Sequence, residues 1–129
     1  MILNKQEVLS KTPSLKEVEI PEWGGSVYIR PITLAEQAKL ADLGVKFEKA
    51  LVAAKMKGVM LPLIQWAVVD AHGDQFFNAA DLDALMNLPA SSVLRLQDEI
   101  LAYSGLTKES REELEKNLLN TPNEEPVSP

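Results

Sequence analysis

The stretch Glu19–Arg30, read as Glu-Ile-Pro-Glu-Trp-Gly-Gly-Ser-Val-Tyr-Ile-Arg, constrains the fold more than any other part of the chain. Two short alternating runs flank a Pro/Gly turn. In the first, Lys16, Val18 and Ile20 share one face and Leu15, Glu17 and Glu19 the other. In the second, Val27 and Ile29 oppose Ser26, Tyr28 and Arg30. Period-two alternation with β-branched residues predicts strands. Pro21 fixes φ where the first strand ends, and Gly24-Gly25 offers positive-φ positions for the turn. The expected unit is an antiparallel hairpin. A lone hairpin is marginal in water, so one face must rest on a body or on another copy.

Everything after Pro31 reads as helix. Asn4, with Glu7 three residues on, predicts a short leading helix over residues 4–11 that Pro13 ends. Thr33 and Glu36 form a Thr-x-x-Glu capping box opening a helix from Leu34 toward Lys57. Its expected inward stripe is Leu34, Ala38, Ala41, Val45, Val52 and Met56, widened by Leu40, Phe47, Leu51 and Ala54. Gly44 is a position where that helix breaks in two, and Gly58 is a stop signal. Val59–Val69 is almost wholly apolar. A buried helix and a central strand both fit such a run, and Pro62 favours the helix. Trp66 is then a core residue rather than a site residue. Asp70–Asp74 is a turn centred on Gly73. Asn78 with Asp81 opens a short helix with Leu82 and Leu85 inward, and Phe76 or Phe77 packs as a staple. Pro89 opens a helix whose inner face carries Val93, Leu96, Ile100 and Tyr103, closed by Gly105. Thr107 caps a last helix with Leu114 and Leu118 inward.

The expected fold class is therefore α+β, mainly α: an N-terminal β-hairpin packed on a bundle of about five helices. A length of 129 residues fits one domain, residues 1–119, followed by a disordered Pro-rich tail over 120–129. The net charge of −6, with no basic stripe, argues against nucleic acid as a partner. The chain has no cysteine, hence no disulfide framework and no thiolate chemistry. The first residues lack a signal-peptide pattern, and no apolar run is long enough to span a bilayer. A soluble cytoplasmic protein is the expectation.

No constellation in the sequence points to catalysis. The single histidine, His72, lies in Asp70-Ala71-His72-Gly73-Asp74. Read as a calcium loop, this puts an imidazole where a hard oxygen ligand is needed and misplaces the glycine. One histidine is also too few ligands for zinc. The serines have no nucleophile-elbow context, and Gly24-Gly25 opens no phosphate loop. The chain reads as a non-enzyme without cofactor or metal. Candidate interaction residues are Trp23, Tyr28, Arg30, Leu40 and Phe47. Trp23 admits two readings, an exposed anchor at the hairpin tip or a side chain that packs the turn onto a helix.

The hairpin segment, followed by Ile32-Thr33-Leu34-Ala35-Glu36, resembles the tail assembly chaperones of long-tailed bacteriophages. In that family a Val-Pro-Glu-Trp-Gly-Gly-x-Val-x-Val-Arg hairpin precedes a Leu-Thr-x-x-Glu helix start. Val69–Asp74 with Phe77, Leu82–Leu85, and Ser104-Gly105-Leu106-Thr107 before an acidic helix extend the likeness over roughly residues 5 to 120. Ala71-His72 departs from it, since relatives often carry acidic residues there. The resemblance implies a protein of the host cytoplasm that binds the tape measure protein, keeps it soluble during tail morphogenesis and helps recruit tail tube subunits. It also implies self-association into an open oligomer around the client. Unpaired hairpin edges offer one device for that contact. The alternative is a structural minor tail or head–tail completion protein retained in the virion.

Overall fold

The computed structural model describes residues 1–119; the expectation of a disordered tail at 120–129 lies outside them. The fold is α+β and mainly helical, with a small antiparallel sheet resting on the helices. Strands β1 (Lys16–Ile20) and β2 (Gly25–Ile29) form the expected hairpin, with Val18 opposite Val27 and Ile20 opposite Gly25. Pro21–Trp23 makes one 3₁₀ turn. Only Gly24 takes a left-handed φ, at 70°, and Gly25 already belongs to β2. The alternation falls as predicted: Val18, Ile20 and Ile29 are buried, and Glu17, Glu19 and Tyr28 face out.

The leading helix α1 (Lys5–Leu9) is capped by Asn4, whose side-chain oxygen accepts the Glu7 N–H at 2.8 Å. Helix α2 (Leu34–Lys46) opens on the full capping box: Thr33 Oγ1 accepts from Glu36 N at 3.1 Å, and Glu36 Oε1 from Thr33 N at 2.9 Å. The helix runs through Gly44 and ends at Phe47, so the predicted continuation to Lys57 and the break at Gly44 are both corrected. Its rotation also differs from expectation. Leu34 and Val45 are 83% and 72% exposed, while Leu40, Leu43 and Phe47 turn inward.

Helix α3 (Val52–Lys55) passes through a π-helical turn at Met56–Met60 directly into α4 (Leu61–Ala67), with helical backbone at both joins. Gly58 therefore does not stop a helix. Pro62, four residues later, has no N–H and its ring crowds the Gly58 carbonyl. The wider π turn immediately before it lets the helix continue, with the Leu61 N–H donating back to Met56 O. Gly58 instead makes room for Phe47: a methyl group on its Cα would stand 2.5 Å from the ring Cζ. Gly58→Val is expected to destabilise the fold by about 1–3 kcal/mol through overpacking. Urea denaturation checks this, and Phe47→Leu in the same chain should recover part of the loss.

The apolar run then changes state. Val68–Val69 leave the helix as strand β3, which pairs with β2 through Ile29↔Val68 and Tyr28↔Val69. The sheet has three strands rather than two, and β3 covers the outer edge of β2 at those residues. What drives the switch is sheet pairing, a non-local interaction that no local period contains. Leu61, Leu63, Ile64 and Ala67 are buried, but Trp66 is half-exposed against α2, a correction to its expected core position.

Gly73 takes φ 84° in the following turn, and Gly105 φ 87° just past the helix that ends at Tyr103. Asn78 and Asp81 cap each other's backbone before a 3₁₀ turn and the short α5 (Leu82–Leu85). Helix α6 (Ala90–Tyr103) buries Val93, Leu96, Ile100 and Leu101 and is the platform under the hairpin. Lys16 Nζ to Glu99 Oε2 at 3.1 Å, Arg95 to Glu22 at 3.3 Å and Tyr103 Oη to Ser14 O at 2.8 Å tie the two together. Thr107 caps α7 (Lys108–Leu119), whose Leu118 is buried and Leu114 half-buried. Lys55 is buried and donates from Nζ to Asn117 O at 3.1 Å, placing a cation at the C-terminal end of α7 where the helix dipole favours it.

Candidate protein-docking surface

The residues singled out from sequence separate in three dimensions. Leu40 is 7% exposed and belongs to the core, so its reading as a contact residue is corrected. Phe47 packs on Gly58 and the core margin in the same way. Trp23 is half-buried against the core, with Nε1 enclosed, so the turn-packing reading holds. Tyr28 is 37% exposed on the outer face of the sheet.

Arg30 is engaged internally. Its two terminal nitrogens donate to Glu36 Oε1 and Oε2 at 2.7 Å each, and Nη1 also reaches Pro31 O at 3.0 Å. The bidentate pair holds the Glu36 carboxyl below the usual carboxylate range: the Arg30 hydrogen bonds outweigh the desolvation penalty, which comes next in size, and the Thr33 N–H adds to the lowering. The same bonds hold the Arg30 guanidinium above its ordinary value. This clamp fixes β2 to the first turn of α2. It is architecture rather than a free binding group.

The Asp70 carboxylate is likewise committed within its turn. Oδ1 accepts the N–H groups of His72 at 2.8 Å and Asp74 at 3.1 Å, and these bonds lower its pKa. Among the described residues no group of three or more His, Asp or Glu side chains gathers where it would hold a metal ion. No helix of the described residues is long and apolar enough to cross a membrane.

The surface with binding character lies elsewhere. A groove of about 190 Å³ opens between the π turn, α5, the start of α6 and the end of α7, and every residue lining it is apolar. Met56 and Met60 come from the π turn, Leu85 from α5, Met86 and Leu88 from the link that Pro89 terminates, Val93 and Leu94 from α6, and Leu119 from α7. The elements that build it have local causes. The π turn follows from Pro62, and the Asn78–Asp81 caps and Pro89 bracket α5. A second hollow shares Leu85 and Leu88 and extends the apolar strip to Phe76 and Phe77. Phe77 packs inward and Phe76, edge-on to it at 4.9 Å between ring centroids, stays exposed.

Three methionines make this floor adaptable. The thioether side chain is unbranched and polarizable, so it repacks against differing apolar shapes. Charges stand around it: Asp81 borders the Phe76 hollow, Glu112, Glu115 and Lys116 adjoin Leu119, and Lys57 pairs with Asp83. An apolar floor with an acidic rim suits an amphipathic helix flanked by basic residues. Sequence reasoning missed the groove because four separated segments supply its walls. Exposed Met86 and Leu88 beside a short capped helix are its only local trace. No protein-family model, no curated protein and no solved structure matches the chain.

Proposed function

We propose that this chain is a tail assembly chaperone of a long-tailed bacteriophage, acting in the host cytoplasm. It binds the tape measure protein, keeps that long helical chain soluble during tail morphogenesis and helps recruit tail tube subunits. The observation that carries the reading is the methionine-lined groove. A long client presents many similar but unequal apolar helix faces. An adaptable site of modest affinity, repeated over many copies, coats such a client through avidity. The resemblance of Glu19–Arg30 and Thr33–Glu36 to the family adds support, and both segments take the conformations it implies, a hairpin and a capped helix start. Co-expression with a long helical tape measure protein tests the reading. The client's soluble fraction should rise, and the two should co-purify. A client that stays insoluble and unbound overturns the proposal, and recovery of the chain from purified virions returns the structural-component alternative.

A further inference from the structure

The sulfur atoms of this chain converge on one place. The sequence has no cysteine and four methionines. Three of the four, Met56, Met60 and Met86, line the apolar groove. Peroxides oxidise thiolates and thioethers, and here no thiol competes.

The three thioethers are unequally reachable. Met86 is 39% exposed and Met60 only 4%, with Met56 half-buried. The difference follows from placement. Met60 closes the π turn and its side chain belongs to the core. Met86 stands one residue past α5, where its N–H donates to Leu82 O at 3.1 Å. Its backbone is thus fixed while its side chain meets both solvent and groove.

Oxidation changes what that side chain can be covered by. The sulfur lone pair forms a bond to one oxygen of hydrogen peroxide, the O–O bond breaks, and the departing hydroxide takes a proton and leaves as water. The sulfur loses two electrons and the peroxide gains them. The product, a sulfoxide, carries a polar hydrogen-bond acceptor. The groove is lined by Met, Leu, Ala and Val, none of whose side chains is an effective donor. Water solvates the new oxygen while the groove is empty. A docked apolar helix face would bury it unpaired, and that opposes docking.

We propose that Met86 is a reversible sulfoxidation site, taking oxygen from a peroxide and thereby lowering the groove's affinity for apolar ligands while the fold stays intact. The inference rests on the groove being a docking site, as proposed above, and adds its regulation. Met60 plays the opposite part. Its burial keeps its thioether from the oxidant, so the core survives a dose that converts Met86. Methionine sulfoxide reductases reverse the step, the oxygen leaving as water as a dithiol is oxidised to its disulfide.

Graded peroxide treatment of the folded chain tests this without any client. Peptide mass mapping should find oxygen on Met86 before Met56 and Met60, with an unchanged circular dichroism spectrum. Exposed Met1 reports the dose. The neutral dye Nile red is the groove probe, and each chain is compared with itself before and after treatment. The parent should bind the dye at least about tenfold more weakly once Met86 is oxidised. Incubation with reductases for both sulfoxide epimers and dithiothreitol should restore binding. Met86→Leu, whatever its own affinity, should lose the response although Met1 still oxidises. Met86→Ile replaces it if circular dichroism shows it unfolded. Met60 oxidised as fast as Met86, a treated parent that binds as before, or a Met86→Leu chain that responds like the parent overturns the proposal. A parent that binds no dye overturns it as well, since the groove then accepts no apolar ligand. Failed client co-expression with the dye response intact strikes the client alone.

Discussion

Leu63→Ala should cost about 2–5 kcal/mol, a large part of the 5–15 kcal/mol that holds a typical domain together. Leu63 is fully buried on α4, inside the core formed by that helix, the sheet and α6. Truncation removes its transfer free energy and leaves a cavity that neighbours on a helix pinned by β3 and α6 cannot readily fill. Trp66, on the same helix, is the control. It is half-exposed beside Lys39, Asp42, Leu43 and Lys46. Trp66→Ala should therefore destabilise less than Leu63→Ala despite deleting a larger side chain. Chemical denaturation of both variants checks the order. An inverted order would mean that the helix is rotated relative to the description above.

Glu36→Ala should cost about 2–3 kcal/mol at neutral pH. It removes two charge-assisted hydrogen bonds from Arg30 and the bond to Thr33 N, and it leaves a half-buried guanidinium without its partner. The effect depends on pH with a definite sign. The folded-state pKa of Glu36 is lowered, so the stability it contributes is fully present above the unfolded value of about 4.3. That stability is lost as pH falls through the lower folded value. The gap between parent and Glu36→Ala should be constant from pH 7 to about 5 and shrink toward pH 3. A gap that does not change with pH would assign the effect to packing of the side chain instead.

The contrast between these two sites shows what the chain discloses in one dimension. Glu36 was legible because a capping box is local: Thr33 and Glu36 are three residues apart, and their chemistry requires that spacing. The hairpin, the Asn4 and Asn78 caps, Gly73 and Gly105 were legible for the same reason. The rotation of α2 was not. Two overlapping apolar stripes run along it, and the one that turns inward is selected by Phe47 meeting Gly58, a contact between helices. The ending of α4 in a strand depends on β2 offering Tyr28 and Ile29 as partners. The burial of Lys55 depends on the last turn of α7, where the Asn117 carbonyl accepts its Nζ. The candidate site is the extreme case. Of the five residues singled out from sequence, only Tyr28 presents itself clearly at the surface, and the groove needs the packed positions of four segments before it exists.

The central claim, that the methionine groove holds the long helical client, is tested most directly by photocrosslinking from position 86 in cells that express the chain and its client together. Met86 lines the groove, and Glu17 on the outward face of β1 provides a folded, exposed control position. The account predicts a crosslink between position 86 and the client, and none from position 17. Crosslinks from position 17 with none from 86 would contradict it and move the client to the sheet.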